Sequence, residues 1–172
     1  MDTTAQDKSL KTSVISIPNE IMMADIAVQI GEGRSVEILC RGNSMNPFLC
    51  DRRDSIILSP CNEADIKVGD VVLARTSYGN FVVHRVAALG PMRLNGDGNF
   101  RKSRELIPDG NVLAVMSGYK RKGRYGKVTD AKWRLYSALW DIFGKISVGN
   151  WDLRRITLGL WRRLHRSLVH IC

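Results

Sequence analysis

The chain predicts a mainly β protein with an N-terminal helix and a basic C-terminal helical tail. Three observations carry this expectation. Between residues 36 and 117, short β-branched runs alternate with turns rich in Gly, Pro and Asn. Ahead of them, one apolar segment ends at a pair of glycines, as a helix does. Beyond residue 130 the apolar residues keep helical spacing, and the charge balance changes. Residues 1–117 hold 13 Lys/Arg against 14 Asp/Glu, whereas residues 118–172 hold 13 against 3, a net +10. The formal +9 of the chain therefore resides in the tail. We divide the chain into an N-terminal segment (1–35), a β core (36–117) and a basic amphipathic helical tail (118–172).

Pro18-Asn19-Glu20 reads as a helix start, and apolar residues continue to Ile30, where Gly31 and Gly33 end the run. Val36 to Cys40 reads as a strand, broken by Gly42-Asn43 just before Ser44. Ser55 to Leu58 is a second strand, stopped by Pro60. Val71 to Arg75 and Phe81 to Ala87 flank Ser77-Tyr78-Gly79-Asn80, the pattern of a β-hairpin. Met92 to Leu94 and Asn111 to Met116 supply further strands. Gly118 to Lys127 is a basic, Gly-rich linker or long hairpin tip. Helical spacing then links Trp133, Tyr136, Leu139, Trp140, Phe143 and Ile146 and, after Gly149-Asn150, Leu153, Ile156, Leu160, Trp161, Leu164, Leu168 and Ile171.

Several function classes are excluded early. No run of eighteen apolar residues occurs, so no spanning helix is expected, and the polar N-terminus lacks a signal pattern. Cys40, Cys50, Cys61 and Cys172 form neither a CxxC pair nor a dense framework, so reduced thiols in a cytoplasmic setting are expected, the first three of them structural. Asp51, Asp54 and Asp70 read as caps and turns, because no His or Cys spacing accompanies them to make a metal site. No Gly-rich loop has the strand–helix context that phosphate binding needs, and no cofactor is expected. His165 and His170 read as solvated residues among arginines.

The chemistry lies in three strings: Gly42-Asn43-Ser44-Met45-Asn46-Pro47, Val83-His84-Arg85-Val86 and Asn95-Gly96-Asp97-Gly98-Asn99. A serine hydroxyl becomes a useful nucleophile when a base takes its proton, and a histidine base works best when a carboxylate fixes its tautomer. Ser44, His84 and Asp97 supply these groups in that order. The plain readings are a turn serine, a strand filler and a turn aspartate. Gly42 and Asn43 would let backbone N–H groups approach a developing oxyanion, with the Ser44 N–H as the natural donor. Met45 would pack beside the nucleophile.

Together with the Gly-Asp-Val-Val strand at residues 69–72, these strings resemble the serine peptidase superfamily of type I signal peptidases and SOS-type self-cleaving repressors. The resemblance covers roughly residues 36–117. Many members carry lysine as the base; the endoplasmic-reticulum and archaeal signal peptidases carry histidine, and His84 is similar to that branch. The resemblance implies a signal-peptidase-type β core, catalytic Ser44, His84 and Asp97, and cleavage near small residues. It departs from the family at Gly42, where a hydroxyl residue is common, and at Ser103, where the histidine branch carries a second aspartate.

The expected function is a serine endopeptidase acting on leader or signal-like peptides, bound alongside an exposed strand edge. A non-catalytic peptide-binding module of the same fold is the alternative, followed by a self-cleaving transcriptional regulator. For the tail, residues 131–172, we expect an anionic membrane surface as partner, with Trp133, Trp140, Trp151 and Trp161 at the interface. Packing on the β core is the plain reading, and nucleic acid ranks last. The protein is expected to be cytoplasmic and peripheral at the membrane.

Overall fold

The computed structural model describes residues 19–99 and 105–146, together with residues 156, 159 and 163, each of which is helical. The architecture is mainly β, as the sequence predicts. It comprises α1 (Asn19–Gly31), β1 (Val36–Leu39), β2 (Ser55–Ser59), β3 (Val71–Arg75), β4 (Phe81–Ala88), β5 (Arg93–Asn95), β6 (Glu105–Leu106), β7 (Val112–Arg121), β8 (Arg124–Lys127) and α2 (Ala131–Ile146). All eight strands join one antiparallel sheet in the order β1-β2-β7-β3-β4-β5-β6, with β8 paired to β7.

Strand alternation divides the interior in two. The larger cluster gathers Met23, Ile26 and Ile30 of α1, Met45, Phe48 and Leu49 of the β1–β2 loop, and Trp133 and Tyr136 of α2 around Leu58, Leu73 and Met116. The smaller one holds Val72, Ala74, Val86, Leu94 and Ile107. In β4, Phe81 and Val83 turn toward the first cluster and Val82 and Val86 toward the second. His84 and Arg85, neighbours in sequence, therefore project to opposite faces of the sheet.

Two parts of the sequence-based division change. The β7–β8 hairpin carries the sheet on to Lys127, past the boundary at 117, so of the two readings of residues 118–127 the long hairpin holds and the linker does not. The turn between these strands places Lys122 (φ 49°) and Gly123 (φ 77°) in the left-handed region. In addition, α2 is docked. Trp133 and Tyr136 are buried, and the Phe48 ring meets Tyr119 and Trp133 edge-on, each at 5.0 Å, and Tyr136 at 4.7 Å. Such ring pairs add about 0.5–1.5 kcal/mol each beyond area burial. Trp133 is thus a core residue and is unavailable to a membrane interface. Leu135, Leu139 and Ile142 on the outer face of α2 remain exposed. Trp151, Trp161, His165, His170, Cys172 and Ser103 lie outside the described residues.

Candidate active site

Ser44 lies in the loop between β1 and β2, and backbone and carboxylate bonds hold that loop at both ends. Cys40 N–H donates to the Asp54 carbonyl (2.8 Å), and Arg52 N–H donates to the Cys40 carbonyl (2.9 Å). The Asp54 side chain, fully buried, accepts from Cys50 N–H, Lys122 N–H and the Arg53 guanidinium. Asp51 accepts from Gly42 N–H at 2.7 Å, and Gly42 adopts φ 81°, a conformation glycine tolerates. Phe48 anchors the far side: its carbonyl accepts from Arg121 Nε, and the same guanidinium stacks on its ring.

A cleft of about 240 Å³ opens beside the loop. Ser44 and His84 both line it, along with Met22 and Met23 of α1, Ile38 to Gly42, and Phe81 to Val83. β1 and β4 are far apart in the strand order, yet both reach this cleft. Each contributes an edge unpaired among the described residues. β1 pairs only with β2, and β5 joins β4 only from Arg85 onward. The walls are mostly apolar.

His84 is buried, and its Nδ1 contacts the Glu105 carboxylate. An ionised carboxylate only accepts, so Nδ1 carries the proton; in the neutral imidazole Nε2 then presents a lone pair, the arrangement of a general base. Sheet register explains the pairing. Val86 stands opposite Leu94, and Leu94 opposite Glu105, so Glu105 shares the face of Val86 and of His84, two residues earlier. Among the described residues no hydrogen bond joins Ser44 Oγ to His84, although both line the cleft. The His84 side chain lies on the Val82 and Val86 face of β4, whereas most of the cleft's other lining residues belong to the first cluster.

The structure corrects the placement of Asp97. Arg85 stands opposite Asn95, and Asp97 follows on that same face, away from His84. Its carboxylate accepts from Arg85 Nε (2.8 Å) and Nη2 (2.7 Å) and from the Tyr136 hydroxyl (2.7 Å). Burial works against the Arg85 charge, but Asp97 outweighs it and the pKa rises. Burial, then the Asp97 charge, lifts Tyr136 well above the ordinary phenol range, so its hydroxyl stays a donor.

The Asp97 loop supports Ser44 through its backbone. Gly98 N–H donates to the Ser44 carbonyl at 2.7 Å. A Cβ at Gly96 would come within 2.6 Å of that carbonyl oxygen, and one at Gly98 within 2.1 Å of the Asn43 oxygen. Both glycines are required by this close approach, not by turn conformation alone.

The expected oxyanion donors also separate. The Gly42 N–H is committed to Asp51, and Asn43 closes the turn by accepting from Asn46 through its carbonyl and its side chain, without lining the cleft. The Ser44 N–H meets no acceptor among the described residues. Met45 is buried and lines the cleft as expected. Cys40 also lines it, but burial, then the Asp54 charge, pushes its thiol up to about 12, so it is protonated and a poor nucleophile. Burial raises Cys50 and Cys61 as well.

Glu105 escapes sequence reading because its strand is two residues long and Pro108 closes the apolar run of Leu106-Ile107 almost at once. Only the register of β6 on β5 reveals it. Compared with protein-family models, with curated proteins and with solved structures, the chain matches none.

Proposed function

We propose that this protein is a serine endopeptidase that cleaves leader or signal-like peptides, with Ser44 as nucleophile, His84 as base and Glu105 as the carboxylate that orients His84. One observation carries the reading: a buried histidine in an apolar cleft shared with a serine has its Nδ1 tied to a carboxylate. Ser44 Oγ attacks the scissile carbonyl while His84 Nε2 takes its proton. The tetrahedral oxyanion draws on the Ser44 N–H. His84 then returns the proton to the leaving amine, and water releases the acyl group by the same steps. An extended peptide pairs with the free edge of β1 or of Phe81 to His84, and the apolar walls read its alternate side chains. The resemblance to signal peptidases of the histidine type supports the substrate class. The reading includes a peripheral place at an anionic membrane surface, supported by the outer stripe of α2 and the +10 tail. No helix among the described residues is long and apolar enough to cross a membrane.

The test uses a fluorophosphonate probe on the full chain, with the modified residue located by mass spectrometry. We expect label on Ser44, none on Ser44→Ala, and slow labelling of His84→Ala. A wild-type chain that binds leader-like peptides but neither labels nor cleaves them overturns the enzyme and leaves the peptide-binding module.

A further inference from the structure

We propose that Tyr136 is a positioning residue for Ser44, which makes α2 part of the catalytic apparatus. The proposal rests on the peptidase reading. Two routes lead from Tyr136 to the nucleophile. Its hydroxyl donates to Asp97 Oδ2 at 2.7 Å, Asp97 is clamped by Arg85, and the next residue, Gly98, donates to the Ser44 carbonyl at 2.7 Å. The fit of Gly96 and Gly98 against the backbone of Asn43 and Ser44 leaves no slack in this route. The second route is apolar: the Tyr136 ring lies 4.7 Å from Phe48, which belongs to the same loop as Ser44.

The rest of α2 tightens the first route. Arg85 Nη1 donates to Ser137 Oγ at 3.1 Å and to the Gly69 carbonyl at 2.8 Å, and the guanidinium packs on the rings of Trp133 and Tyr136. Neither Trp133, Tyr136 nor Ser137 lines the cleft. The helix therefore acts on Ser44 from behind and leaves substrate contacts to other residues. A helix of the basic tail thus fixes the Ser44–Met45 peptide unit, directly after the one whose N–H is offered to the developing oxyanion, and displacements of ångström size there are costly to catalysis.

Tyr136→Phe keeps the ring and removes the donor. On the full chain we expect fluorophosphonate labelling of Ser44 to slow by about tenfold to a hundredfold. With a cleaved peptide, kcat should fall by a similar factor while KM stays within about twofold, since the cleft is untouched. Amide exchange of residues 43–49 should accelerate in the variant. A labelled wild type whose Tyr136→Phe form labels at the same rate overturns this proposal alone. A uniform loss of active protein, with unchanged kcat per labelled site, overturns it too. An unlabelled wild type overturns the peptidase reading itself.

Discussion

At the scale of single residues, the two carboxylates beside β4 carry different work, and substitution separates them. Glu105→Gln leaves an amide at His84 Nδ1, which can settle the wrong tautomer. We expect kcat to fall by about a hundredfold to ten-thousandfold with little change in melting temperature. Asp97→Asn instead breaks a buried ion pair and should cost about 3 kcal/mol of stability or more, read by denaturant unfolding. Equal melting temperatures for the two variants, or equal activities, would contradict this division. The sequence makes Ser44 and His84 legible because each stands in a recognisable local string. It sets Asp97 beside His84, whereas the structure sets Glu105 there, because Asp97 has the louder motif. Which of two acids meets His84 depends on the face of β4 each one shares, and that requires the register of β5 and β6. The same parity places Arg85, adjacent to His84, on the structural side.

At the scale of elements, the hairpin β3–β4, helix α1 and strands β1 and β2 follow from period, β-branched content and Gly or Pro boundaries, and the structure places them where the sequence does. The β7–β8 hairpin was legible only as one of two alternatives, because its charge and glycines also suit a linker, and β6 was hidden by its brevity. The β1–β2 loop is equally unreadable from sequence, since its order comes from contacts distant in the chain. Gly98→Ala tests one of them. Its Cβ would meet the Asn43 oxygen at 2.1 Å, so the loop must shift. We expect a loss of about 1–3 kcal/mol and a larger proportional loss of Ser44 labelling. Asp54 tests another. Burial alone would raise its pKa, but the Arg53 hydrogen bond and the Cys50 and Lys122 N–H groups bring it below the ordinary 3.8. A depressed folded value contributes stability above the unfolded pKa and loses it as pH falls through the folded one. Asp54→Asn should therefore be less stable than wild type at neutral pH, with the gap closing as pH falls below about 3.8. An equal gap at neutral pH and in strong acid would show that the Asp54 charge does not hold this loop.

At the scale of the whole molecule, α2 has two opposed duties. Its inner face, through Trp133 and Tyr136, completes the core and braces the Ser44 loop, while Leu135 (63% exposed), Leu139 (57%) and Ile142 (53%) form a stripe with no cover among the described residues. Charge asymmetry in the sequence suggests a separable tail, but the packing shows why truncation cannot test membrane attachment. Ending the chain near Gly118 would strip Tyr119, Trp133 and Tyr136 from the core, and any lost binding would be confounded with unfolding. The discriminating variant is Leu135→Ser, Leu139→Ser and Ile142→Ser combined, which leaves the inner face intact. We expect its melting temperature to stay close to wild type. Partial burial of three such side chains in the headgroup layer contributes about 3 kcal/mol, so partitioning into vesicles containing phosphatidylserine should drop roughly a hundredfold at low salt. Basic residues near an anionic surface contribute about 1 kcal/mol each and are screened by salt, so wild-type binding should weaken steeply with ionic strength. Wild-type partitioning by the triple variant would remove α2 from the membrane contact. Because the same helix holds Asp97, engagement of its outer face and reactivity of Ser44 can be measured on one sample. Addition of the anionic vesicles should leave Ser44 labelling undiminished, since the surface proposed to meet lipid and the surface proposed to brace the loop are opposite sides of α2.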